Sequence, residues 1–147
     1  MTYDLRAERI LDARPEDVFD AYTDMDADKT LFANGPDWTV EVDCDLRVGG
    51  RWNLTMRPSG APPFRESNLF TRIDRPRRLD FQSTLTTPDG SSIDRDVEVT
   101  FDHADGGTLM TIVQKGFPTA RLRDLVYGGV SSMLDQFERL LKVQAAG

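Results

Sequence analysis

The chain predicts an α+β fold in which a curved antiparallel sheet of seven strands wraps around one long C-terminal helix, with two short helices between the first and second strands. Three observations carry this expectation. From Tyr3 to Lys115 apolar and polar residues alternate with period two, in runs broken by turn residues. Within that region Gly49-Gly50 divides two such runs, and further runs are joined by short turns, so the strands follow one another as antiparallel hairpins. After Gly116-Phe117-Pro118 the apolar period lengthens to about 3.6. A sheet with one dry face needs cover on one side only. One helix over a curved sheet leaves a hollow, and that hollow is the functional clue.

The first strand is expected over Tyr3–Leu11, where Tyr3, Leu5 and Ala7 alternate with Asp4, Arg6 and Glu8. Arg14-Pro15 ends it and opens a short helix: proline suits a first turn, where its missing N–H is not needed, and Glu16 and Asp17 sit where the helix dipole favours anions. Val18, Phe19 and Tyr22 form the buried stripe of that helix, and a second helical piece spans Asp26–Phe32 before Asn34-Gly35-Pro36 turns the chain. In the next strand Trp38, Val40, Val42, Cys44 and Leu46 share one face; after a tight turn at the two glycines, Trp52, Leu54 and Met56 continue it. Both glycines are read as supplying positive φ for that turn. A proline-rich loop over 58–63 leads to a strand at Phe64–Ile73, and another follows at Arg78–Thr86 with Leu79, Phe81, Ser83 and Leu85 inward. Val97, Val99 and Phe101 mark a sixth strand, and Asp105-Gly106-Gly107 turns into a seventh at Leu109–Lys115. The helix then carries Leu122, Val126, Val130, Met133, Phe137, Leu140 and Leu141 on one stripe.

Residues 1–147 are expected to form a single domain, a length that buries a core without staples. One cysteine, no long apolar run and no leader pattern point to a reducing cytoplasm and no membrane span. The net charge is −7 and the eighteen Lys and Arg are scattered, which argues against nucleic acid, whose phosphates need clustered cations.

Cys44 alternates with apolar neighbours and reads as a small buried hydrophobe. His103 is the only histidine and lies beside a surface turn, so neither a metal site nor a Ser-His-Asp arrangement is expected, and no catalytic residue is assigned. Trp38 and Trp52 have two readings, core packing or the wall of a ligand pocket. Further cavity-lining candidates are Phe32, Leu54, Met56, Phe64, Phe81, Met110 and Ile112 on the sheet side, and Val130 and Met133 on the helix. Two polar residues fall on inward positions, Arg95 ahead of Val97 and Gln114 after Ile112. A buried guanidinium needs a partner, and Glu66 or an anionic ligand would serve.

Four segments taken in order carry a family likeness: Ala13-Arg14-Pro15-Glu16-Asp17-Val18-Phe19-Asp20-Ala21-Tyr22-Thr23-Asp24, Asp45-Leu46-Arg47-Val48-Gly49-Gly50-Arg51-Trp52, Asp74-Arg75-Pro76-Arg77-Arg78-Leu79 and Gln114-Lys115-Gly116-Phe117. They resemble homologues of the heat-shock-protein-90 ATPase activator, within the SRPBCC superfamily that also holds START domains and the birch pollen allergen. The resemblance implies the helix-grip fold. Three positions depart from the family pattern. Leu31-Phe32-Ala33-Asn34-Gly35-Pro36 replaces a Trp-Trp-Gly-Pro block, Gly129-Val130 replaces Gly-Trp, and Asn68 stands where a strand glycine is common. The first two reshape the mouth of the cavity. The leading expectation is a binding protein for a small apolar or aromatic ligand, without cofactor, acting as a monomer or homodimer. The resemblance also implies two alternatives: an interaction protein for a chaperone ATPase in the stress response, and a cyclase- or hydrolase-type enzyme using the same cavity.

Overall fold

The computed structural model describes residues 1–146. In chain order the elements are β1 (Tyr3–Leu11), α1 (Pro15–Tyr22), α2 (Met25–Leu31), β2 (Thr39–Cys44), β3 (Arg51–Arg57), β4 (Phe64–Asp74), β5 (Arg78–Thr86), β6 (Ser92–Ala104), β7 (Gly107–Phe117) and α3 (Ala120–Ala146). They form one seven-stranded sheet in the order β1-β7-β6-β5-β4-β3-β2, antiparallel throughout. The expected α+β helix-grip architecture is therefore the architecture of the chain. Local chemistry sets the helix starts. Pro15 opens α1 with Glu16 and Asp17 in its first turn, and the Asp24 carboxylate accepts the Ala27 N–H at 2.9 Å to cap α2.

Strand register sorts the inner face into rows. Ala7, Ile112, Val99 and Leu79 stand side by side across four strands, all buried, where α1 packs on β6 and β7. A second row runs Arg95, Ser83, Asn68, Trp52, Cys44, and three of these are buried polar side chains. Helix α3 docks mainly on β1, with Met133, Leu134, Phe137 and Leu141 buried and the Phe137 ring stacked on Tyr22 of α1, while Leu125 and Tyr127 near its start are exposed. Arg9 projects from the inner-face positions of β1 and pairs with Asp135, at 2.9 Å, and with Glu138 on α3. This is an anchor the alternation pattern alone does not reveal.

The expected tight turn at Gly49-Gly50 is instead a six-residue loop over 45–50. The β2–β3 ladder ends at the Cys44–Trp52 pair, and the loop is stitched to β4: the Gly49 N–H donates to the Phe70 carbonyl at 2.9 Å, and the Phe70 N–H donates to the Gly50 carbonyl at 3.1 Å. Leu46 and Val48 consequently point out, 42% and 60% exposed, and Leu46 does not extend the inner face. Of the two glycines only Gly49 has positive φ, at 84°. Gly50 is required for closeness instead, since a Cβ there would lie 2.1 Å from the Asp45 carbonyl oxygen. Gly50→Ala should lower stability in urea denaturation by about 1–3 kcal/mol, the usual cost of overpacking. Unchanged stability would show that the loop is free to move away from β4.

Candidate functional site

The concave face, α2 with the turn behind it, and the first half of α3 border a partly open cavity of about 180 Å³. For scale, an engineered apolar cavity of about 150 Å³ takes up benzene. Phe32, Trp38, Met56, Phe64, Phe81, Val130 and Met133 form apolar wall, and Arg95 and Gln114 add polar wall. Trp38 stacks on Phe64 with ring centroids 5.8 Å apart, so its ring is both packed and part of the wall. Tyr22, Asn34, Glu66, Leu125, Gly129 and Ser132 also face the space.

Four residues expected to line the cavity do not. Trp52 is 1% exposed, wedged between Tyr22 at 5.2 Å, Phe81 at 5.5 Å and Phe70 at 5.9 Å between centroids, with its indole N–H donating to Asp28 Oδ2 at 3.1 Å. Met110 and Ile112 are closed over on β7, a strand that α1 covers. Leu54 is buried on β3 beside β2, the strand against which α2 packs. Alternation assigns a face to each residue, whereas depth within that face is set by which helix lies above it.

The polar wall is a compact network. The Arg95 guanidinium lies 3.3 Å from the Glu66 carboxylate and donates to Ser83 Oγ at 2.5 Å, and the Ser83 hydroxyl donates to Glu66 at 3.1 Å. The Phe117 ring centroid is 5.9 Å from the guanidinium carbon, which adds a cation–π contact. Glu66, named from sequence as a partner for an inward Arg95, fills that role. Two atoms are left over: Arg95 Nε and Gln114 Oε1 are buried without a hydrogen-bond partner among the described residues. Such groups cost stability when unpaired, and they concentrate at working sites.

Further polar side chains lie in the interior, of which sequence reasoning passed over Asp28. Asp28 is fully buried, and desolvation pushes its carboxyl up to about 9, against the opposing pull of the Trp52 N–H, so it is protonated at neutral pH. Burial, helped by the charges of Glu66 and Asp28, likewise drives the Tyr22 phenol well above its ordinary range. Asn68 is fully buried with both amide atoms unpaired among the described residues. Signals for two of these exist in the chain. Asp28 stands three residues before the buried Leu31 on α2, and Asn68 alternates with Glu66 and Phe70. Cys44 is half-buried and desolvation raises its thiol to about 11, which keeps it protonated. His103 is exposed near the β6–β7 turn, away from the cavity lining. No group of three or more metal-ligating side chains occurs among the described residues.

A curved antiparallel sheet gripping a C-terminal helix over a partly open interior defines a helix-grip protein of the SRPBCC type. The chain belongs to the family described as Activator of Hsp90 ATPase homolog 1-like protein, whose pattern matches residues 12–142. Among solved structures it is similar to a protein from Chromobacterium violaceum, with 22% identity, 94% of this chain and 96% of that chain covered, and a TM-score of 0.82. An AHSA1-like protein from Aeromonas hydrophila shares 27% identity over 99% of this chain and 96% of its own, with a TM-score of 0.79. A protein from Mycobacterium smegmatis shares 24% identity over 94% of this chain and 90% of its own, also with a TM-score of 0.79. Among curated proteins none matches the chain at a significant level.

The positions that depart from the family pattern near the mouth meet at the cavity. Phe32, Asn34, Gly129 and Val130 all line it, and Ser132 on α3 donates to Asn34 Oδ1 at 2.7 Å, tying the helix to the loop before β2. A Cβ at Gly129 would meet nothing within 4 Å.

Proposed function

We propose that this protein binds a small apolar or aromatic molecule in the cavity between the sheet and α3. The observation that carries the reading is the cavity of about 180 Å³, walled by Phe32, Phe64, Phe81 and Val130, in a fold family that typically holds ligands in this place. Apolar surface facing an unfilled space is stabilised by a guest that covers it. The polar side chains at the wall are the Arg95–Glu66 ion pair, the Gln114 and Asn34 amides, the Ser132 hydroxyl bonded to Asn34 and the Tyr22 phenol, with no histidine or cysteine among them to activate a hydroxyl. Binding is therefore favoured over turnover.

Ethylbenzene at a hundred times its dissociation constant should add about 2.7 kcal/mol of stability by linkage, a rise in Tm of about 5–10 °C for a domain of this size. Gly129→Trp fills the open space beside α3 and should abolish that rise while the variant remains folded by circular dichroism. A rise in Tm equal to wild type in Gly129→Trp would place the guest elsewhere.

A further inference from the structure

We infer that the guest carries a neutral head group that both donates and accepts hydrogen bonds, a phenolic hydroxyl or a primary amide, and places it against Arg95 and Gln114 at the polar wall; this rests on the cavity being the ligand site. Both side chains line the cavity, both are more than nine-tenths buried, and each has one fully buried polar atom, Arg95 Nε and Gln114 Oε1, with no partner among the described residues. The Arg95 guanidinium supplies donors only, and the Gln114 amide supplies a carbonyl acceptor beside an N–H donor. Both orphaned atoms lie just under the wall surface, so a head group meets them as the two side chains turn toward it, accepting from the first and donating to the second.

The charge of the site selects against ions. Arg95 is neutralised by Glu66 at 3.3 Å, and this pair is held in place by Ser83 and the Phe117 ring. An entering carboxylate would meet Glu66 as a like charge, and an entering ammonium would meet Arg95. The other titratable groups nearest this wall, Tyr22 and Asp28, are neutral at pH 7 and supply no compensating charge. A hydroxyl in a wholly apolar cavity would lose its hydrogen bonds to water and bind worse than the hydrocarbon. A preference for the hydroxyl therefore reports partners inside the cavity.

Calorimetric titration at pH 7 with ethylbenzene, 4-ethylphenol, 4-ethylbenzamide and 4-ethylbenzoate tests this. The phenol and the amide are expected to bind at least tenfold more tightly than ethylbenzene, and the benzoate at least tenfold more weakly than the phenol. Gln114→Leu should remove most of the phenol's advantage. Glu66→Gln, which frees the positive charge of Arg95, should tighten benzoate binding at least tenfold over wild type; should that variant fail to fold, the wild-type ranking and Gln114→Leu decide. Equal affinity for ethylbenzene and phenol would overturn the head-group inference and leave the cavity reading standing. Benzoate as the tightest wild-type guest would overturn it too. Binding of none of the four compounds would remove the cavity reading and the inference with it.

Discussion

Asp28→Asn should flatten a loss of stability that the wild-type protein suffers as pH rises. The unfolded chain gives up the Asp28 proton near the ordinary carboxyl value of 3.8, whereas the folded chain keeps it until about 9, because burial penalises the anion more than the Trp52 N–H rewards it. Between those values the folded state holds one more proton than the unfolded state. Stability therefore falls with increasing pH, at about 1.4 kcal/mol per unit from this group alone. The contribution is complete below pH 4 and is lost progressively up to about pH 9. Carboxyls shifted the other way, Asp20 beside Arg75 and Asp89 bonded to Thr87 and Ser91, act at lower pH, outside this window. Urea denaturation at about pH 5 and 8 should differ by about 4 kcal/mol more in wild type than in Asp28→Asn. Equal pH slopes for the two proteins would mean that water reaches Asp28 and that the interior is wetter than described.

Arg95→Met should cost about 3–5 kcal/mol, because it leaves Glu66 at the cavity wall and Ser83 behind it without their cation. The double change Arg95→Met with Glu66→Leu removes both charges and should recover most of that loss, since an apolar pair pays no desolvation penalty. Denaturant midpoints for wild type, both single variants and the double variant give the coupling directly. A single variant within 1 kcal/mol of wild type would show that the pair is solvated and that the polar wall is open to bulk water.

Much of the fold was legible because alternation and helical periodicity are long-range patterns that several residues enforce at once. In Arg78–Thr86 four inward side chains and a flanking turn leave one register, and the strand runs over that span. The antiparallel run from β2 to β7 followed from hairpins in series, whereas the pairing of β1 with β7 has no local mark; Arg95 with Glu66 followed from asking what an inward charge would require. The loop over 45–50 was misread because Leu46 continues the alternation, while the pull of β4 on the Gly49 and Gly50 backbone is a tertiary contact with no local mark. Trp52, Leu54, Met110 and Ile112 were placed on the correct face and at the wrong depth, for depth depends on where α1 and α2 settle. Asp28 escaped notice because an aspartate in a short helix ordinarily faces water. Its partner in the interior is the indole N–H of Trp52, twenty-four residues further along the chain.

Binding at this site requires the space between the sheet and α3 to be hollow and open to a guest. A crystal of the protein soaked with ethylbenzene tests it most directly. Density for the ring is expected between Phe32, Phe81 and Val130, with Trp52 unmoved behind them. A cavity filled by side chains, or by ordered water that ethylbenzene does not displace, would contradict it.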